Sequence, residues 1–220
     1  MLDARTLTTT LQALLPEAFA VAASTHCPRE AALAGDERAA TAGMVPKRLT
    51  EFTHGRHCAR LALRQLGSAA APIAKGPNRE PVWPPGIVGS ITHTGGWAAA
   101  AVGYSKLFSG VGIDIERDGP LDEATRKLIL RPNEQLTIAS EDSRLVFSIK
   151  EAIYKCIFPT AGRYVDFAEI EVALDAGRGR FTARTHWASP LPELPAELRG
   201  HFARAEEHVL ASAWLAALPE

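Results

Sequence analysis

The segment Gly110-Val111-Gly112-Ile113-Asp114-Ile115-Glu116 alternates in a way that suits an extended strand. Successive side chains of a strand point to opposite faces, so Ile113 and Ile115 share one face and Asp114 and Glu116 the other. Two carboxylates held side by side repel, and the arrangement becomes favourable when a hard divalent cation or a set of donors stands between them. Magnesium suits such oxygen ligands. On this segment alone, an edge strand with a solvated acidic face is an equal alternative.

A second segment, Phe147-Ser148-Ile149-Lys150-Glu151-Ala152-Ile153-Tyr154-Lys155, places Glu151 and Lys155 one helical turn apart on a common face. By itself this spacing describes an ordinary surface ion pair, worth about 0.3–0.5 kcal/mol. Joined to the first segment it supplies more. A third carboxylate fills out an oxygen-ligand set, and a neighbouring lysine is the usual point charge for a phosphate that the metal also touches. Upstream, Arg48, Arg56, Arg60 and Arg64 recur at multiples of four along one helical stripe, with Lys75 and Arg79 following in a proline-rich stretch. They form either a solvated basic face or an anion site. His93 ends a strand before Gly95-Gly96, where a side chain can meet a ligand or serve the structure alone. No HExxH arrangement, Walker loop, dinucleotide fingerprint or G-x-S-x-G elbow is present, so zinc-hydrolase, P-loop, Rossmann and serine-hydrolase chemistry lack their main support.

The periodicity also predicts a frame for these elements. Leu49, Phe52, Ala59, Leu63 and Leu66 recur at helical spacing between Pro46, which suits a first turn, and Gly67, which suits a C-cap, so a helix is predicted over residues 46–66. Pro72, Pro77, Pro81, Pro84 and Pro85 predict a fixed loop over residues 71–89. Residues 87–93, 97–104 and 110–116 read as strands of a meander. A second helical part begins near Leu121; its main helix is predicted from Ser140 or Asp142 as N-cap to Phe158, with Pro159 as its stop. Residues 169–174, 180–185 and 208–215 have strand character, and residues 189–195 read as loop. The chain is therefore expected to be α/β (α+β), with two halves, residues 1–107 and 108–220, that each hold a helix and a few strands but show no internal repeat.

Charge narrows the choice of partner. The 220 residues carry 24 Lys plus Arg against 25 Asp plus Glu, so no global basic field draws nucleic acid or an anionic membrane, and any anion site must be local. This balance counts against a metal-dependent nuclease, the rival enzyme reading of an Asp, a spaced Glu and a Lys. The three cysteines, Cys27, Cys58 and Cys156, have neither metal-ligand spacing nor an even count. With no basic, apolar leader at the N-terminus and no apolar run long enough to span a bilayer, a reducing, cytoplasmic setting is expected.

With these residues in hand, the sequence resembles the Sfp/EntD-type 4'-phosphopantetheinyl transferases, whose signatures are G-[VI]-D-x-E on a strand and [FW]-x-x-K-E-[AS]-x-x-K on a helix. Residues 112–116 and 147–155 match both. Lys47-Arg48, Gly55-Arg56-His57-Cys58-Ala59-Arg60, Pro81-Val82-Trp83-Pro84 and Gly89-Ser90-Ile91-Thr92-His93 extend the likeness towards the EntD and actinobacterial branch. The resemblance implies two pseudo-symmetric α/β subdomains with coenzyme A between them and magnesium, or manganese in its place, at the pyrophosphate. By carry-over, Asp114, Glu116 and Glu151 hold the metal, and Asp114, Glu151 and Lys155 serve catalysis. Arg48, Arg56, Lys75, Arg79, Thr92, His93 and Lys155 hold coenzyme A. Glu151 is a metal ligand or the base that relays a proton. The implied partners are apo acyl and peptidyl carrier proteins, whose serine supplies the nucleophile, and members of this length act as monomers. A non-catalytic coenzyme A or carrier-binding module is the other alternative; the presence of all three carboxylates counts against it.

Overall fold

A computed structural model describes residues 3–27, 33–187 and 191–217. The helices are α1 (Ala4–Ala13), α2 (Asp36–Ala39), α3 (Pro46–Gln65), α4 (Glu123–Ile129), α5 (Pro132–Thr137) and α6 (Ser143–Ala161). The strands of the first half are β1 (Ala20–Ser24), β2 (Ala74–Lys75), β3 (Pro81–Val82), β4 (Ile87–Thr94) and β5 (Trp97–Tyr104). Those of the second are β6 (Phe108–Arg117), β7 (Ile170–Asp175), β8 (Arg180–Thr185), β9 (Glu197–Ala205) and β10 (His208–Ala216).

All pairings are antiparallel, and the two halves repeat one plan. The first sheet runs β1-β5-β4 and the second β6-β10-β9-β8-β7. In each, the opening strand of the half pairs with its closing strand, which pairs in turn with the strand before it, and one long helix follows the opening strand. The β7–β8 hairpin is the addition that distinguishes the second half. The expected α+β class and the pairing of one main helix with a few strands in each half agree with this arrangement.

Each main helix covers one sheet face. Cys58, Ala59, Ala62 and Leu63 of α3 pack on Ala98, Ala100 and Val102 of β5, while Val146, Ile149, Ile153 and Ile157 of α6 share a core with Val209, Ala211 and Ala213 of β10. A third core lies at the seam between the halves. There Leu7, Leu11, Leu14 and Leu15, from α1 and the turn after it, meet Ala99 and Ala101 of β5 and Ile113, Ile115 and Leu210 of the second sheet. Ser212 Oγ and His201 donate to the carbonyl of Leu14 at 2.6 and 3.1 Å. The first helix of the chain is thus bound to the second half as well as the first. Covered on both faces, β5 needs no polar alternation, which is why its sequence is nearly all small and apolar.

Two features differ from the sequence expectation. Helix α6 runs past Pro159 and ends where Gly162 adopts φ 61° and donates to Phe158 O at 2.9 Å. A proline in the last turn forfeits only its own bond to residue 155, so the left-handed glycine and not the proline sets the end. The start agrees with expectation, since Asp142 is the N-cap, although among the described residues it makes no side-chain cap bond and a 3-10 turn, Ser140–Asp142, precedes the helix. The proline-rich loop contains a two-residue ladder, Ala74↔Val82 and Lys75↔Pro81. Of residues 189–195, Ser189 and Pro190 lie outside the described residues.

Candidate active site

Strand β6 and helix α6 bring the two sequence segments together, and glycine makes the approach close enough. A Cβ on Gly112 would collide with the Ala152 carbonyl, and one on Gly110 with that of Cys156. These glycines share a face of β6 with Asp114, so the helix lies against the strand backbone and Lys155, on the same helical turn, reaches the aspartate. Lys155 Nζ donates to Asp114 Oδ1 at 2.6 Å and to Ile113 O at 3.3 Å.

Asp114 is 4% exposed, and its other oxygen, Oδ2, is buried without a hydrogen-bond partner among the described residues. Among the described residues Glu116 has only a long contact with Arg144, 3.8 Å from Oε2 to Nη1. Burial, joined by the charge of Asp114, pushes the Glu116 carboxyl up to about 7. Burial also raises Glu151, with Lys155 opposing and Asp114 adding to the rise. For Lys155 burial disfavours the charged form, but Asp114 and Glu151 outweigh it and hold its pKa above the ordinary lysine value. The ensemble is a set of carboxylates short of positive charge. An orphaned oxygen and a strongly raised carboxyl are what a cation-binding site shows without its cation, so the donor set fits magnesium, which needs few protein ligands when a phosphate supplies others. Among the described residues no three His, Cys, Asp or Glu side chains form a ready-made metal cage.

The candidate coenzyme A residues divide into three groups. Arg48 Nη1 donates to His93 Nε2 at 2.8 Å, and Glu51 stands 3.5 Å from Arg48 and 3.9 Å from the His93 ring, so these three form one exposed-to-half-buried cluster. Burial lowers the His93 pKa, and the charges of Lys155 and Asp114 still reach it, which joins this cluster electrostatically to the carboxylates. Beside it opens a cavity of about 280 Å³, lined by His26, Glu51, His54, His93, Thr94 and Trp97 among others. The Gly95-Gly96 turn, at φ 51° and 91°, forms its rim. His54 is buried there with Nε2 unpartnered, and burial pushes its pKa down to about 4.

Arg56 is different. It is 5% exposed, lies over the Phe52 ring, and spends Nε and Nη2 on the carbonyls of Ile73 and Ala74 at 2.9 and 3.3 Å. Its first task is to hold the strand that carries Lys75. Lys75 and Arg79 stand exposed on the β2–β3 turn, Arg79 at φ 72°. Thr92 also departs from the expected grouping: its side chain turns to β6 and donates to Asp114 Oδ1 at 3.1 Å. Arg144 is a site residue that motif reading passes over, although its place seven residues before Glu151 puts it on the same helical face. A larger cavity of about 510 Å³ between α5 and the β7–β8 hairpin is lined by none of the candidate residues.

Comparison with known proteins gives this geometry a family setting. Residues 36–103 match the 4'-phosphopantetheinyl transferase N-terminal domain, and residues 110–213 match the 4'-phosphopantetheinyl transferase superfamily. The chain is 35% identical to 4'-phosphopantetheinyl transferase Npt of Nocardia iowensis over 183 residues, 78% of this chain and 82% of the relative. It is 38% identical to PptT of Mycobacterium tuberculosis, over 68% of this chain and 70% of that one. With Svp of Streptomyces mobaraensis it shares 40% identity over 68% of its own length but 64%, just under two thirds, of the relative's.

Proposed function

Because the chain belongs to the 4'-phosphopantetheinyl transferase family, we propose that it transfers the 4'-phosphopantetheine moiety of coenzyme A to a serine of apo acyl or peptidyl carrier proteins, releasing adenosine 3',5'-bisphosphate. The observation that carries this reading is Asp114, whose Oδ1 is held by Lys155 while its buried Oδ2 has no partner.

Asp114, Glu116 and Glu151 would hold magnesium, which when bound supplies positive charge to the pyrophosphate and its leaving oxygen. Everything else falls to the chain itself. Lys155, held charged by its carboxylate neighbours, would bind the α-phosphate and stabilise the oxygen released there. Arg48, His93 and the adjoining cavity receive the nucleotide end, and Lys75 and Arg79 add positive charge from the β2–β3 turn. Arg56 fixes that turn and has Nη1 left over for a phosphate. The serine Oγ forms its bond to the β-phosphorus as the bond to the α-phosphate oxygen breaks. Glu151, its pKa raised, accepts the serine proton in this scheme. No activated nucleophile is needed in the chain, since the partner brings it, and positioning plus charge neutralisation carry the catalysis. We place the activity in the cytoplasm with the chain acting as a monomer; among the described residues no helix is long and apolar enough to cross a membrane.

The test is to incubate the protein with magnesium, coenzyme A and an apo carrier protein and weigh the carrier. A gain of one phosphopantetheine per carrier is expected. An unmodified carrier across acyl and peptidyl types, with DNA cleaved instead, would overturn the reading.

A further inference from the structure

Strands β4 and β6 are edges of separate sheets that meet without a backbone ladder. The seam is closed by hydroxyls. The Ile113 amide donates to Ser90 Oγ at 3.1 Å and the Ile115 amide to Thr92 Oγ1 at 3.3 Å, so alternate side chains of β4 stand in for the carbonyls a paired strand would offer. Ser90 and Thr92 are 2% and 3% exposed, which leaves no water to compete.

A hydroxyl that accepts from an amide keeps one proton to give. Thr92 gives it to Asp114 Oδ1, which also accepts from Lys155. The direction of the chain of bonds is therefore set: amide to hydroxyl, hydroxyl to carboxylate. With Oδ1 anchored twice, Oδ2 is the oxygen left over, and the branched Thr92 side chain has few rotamers in which to release it. We infer that Thr92 is a positioning residue and that it fixes the Asp114 carboxylate so that Oδ2 faces the site. It also ties that orientation to the docking of the two halves, because the same oxygen closes the seam.

The inference rests on the proposed transferase reading for its kinetic arm but has a structural arm of its own. Three variants separate the possibilities. Thr92→Val keeps the shape and removes both bonds; Thr92→Ser keeps the hydroxyl; Ser90→Ala removes the neighbouring seam bond without touching Asp114. Thr92→Val is expected to lower kcat about tenfold or more while KM for coenzyme A stays within about twofold, with Thr92→Ser and Ser90→Ala close to wild type. Crystal structures should show Asp114 turned away from its wild-type rotamer in Thr92→Val and restored in Thr92→Ser. If Thr92→Val does not fold, Thr92→Ala is read in the same way. Three results would overturn the inference: an unmoved Asp114 with wild-type kcat, a loss confined to coenzyme A affinity, or an equal loss in Ser90→Ala. If the wild-type protein transfers nothing, the rotamer comparison still decides the role of Thr92, while the transferase reading fails separately.

Discussion

Helix α6 carries two lysines that each meet a carboxylate at 2.6 Å, and the two pairs are built to opposite ends. Lys150 is fully buried and donates to Glu134 Oε2, Ile129 O and Phe167 O, which uses all three ammonium hydrogens. Glu134, 1% exposed, accepts in addition from the amides of Arg131 and Val172. This closed network ties α4, α5, the turn before β7 and β7 itself to the helix. The Lys155–Asp114 pair is open: the lysine side chain is 26% exposed, one aspartate oxygen has no partner among the described residues, and the charges of two further carboxylates act on it. A fully satisfied buried pair has nothing left for a ligand and can only hold structure in place. An unsatisfied pair retains binding capacity.

The largest expected effect comes from breaking the closed pair. Lys150→Ala leaves Glu134 buried and uncompensated, and denaturant unfolding should show a loss of about 3–5 kcal/mol. Lys155→Ala should do the reverse, leaving unfolding within about 1 kcal/mol of wild type while transfer falls about 10²–10³-fold in a steady-state assay. If both variants lose stability equally, the contrast fails. A third effect is a pH dependence that Glu116 contributes beside the open pair. Folded Glu116 titrates near 7 but an unfolded glutamate near 4.5, so between these values the folded chain keeps a proton the unfolded chain has released. The contribution of Glu116 to the stability of the metal-free protein should therefore fall by about 1–3 kcal/mol as pH rises through that window, against the opposite contribution of buried His54, and recover with magnesium and coenzyme A. Thermal melts of Glu116→Gln without metal should lose that share of the pH dependence relative to wild type, leaving the smaller share of Glu151; an unchanged profile would remove Glu116 as a source. The smallest effect is at the nucleotide end, where His93→Ala should weaken coenzyme A about tenfold by calorimetry. An unchanged Kd would remove His93 from the site.

The sequence disclosed the open pair more readily than the closed one. Alternation put Asp114 and Glu116 on one strand face, and helical spacing put Glu151 with Lys155, because both rules are local. That Asp114 and Lys155 touch depends on a helix lying flush on Gly110 and Gly112, a tertiary fact that spacing cannot supply. Lys150 sits beside Glu151 in the same motif, yet its partner Glu134 comes from a short helix whose place is set by packing. Arg56 belongs to a basic stripe that reads equally as anion site or solvated face, and it is neither first: it is turned inward to two carbonyls. Thr92 was legible as part of a strand end but not as the partner of Asp114, since that contact crosses between sheets. Strands β1 and β9 escaped because one is alanine-rich and the other, with Leu198, Gly200 and Phe202 buried in alternation, has a glycine at its centre and prolines before it.

The central claim is that the partnerless oxygen of Asp114 is where metal and pyrophosphate meet this chain. A crystal of the protein grown with coenzyme A and manganese tests it most directly through the anomalous signal of the ion. The expected map has one manganese peak within bonding distance of Asp114 Oδ2, shared with Glu116 or Glu151 and a coenzyme A phosphate, and with Lys150 and Glu134 unmoved. Coenzyme A bound with no peak at Asp114, or bound instead in the cavity under α5, would contradict it.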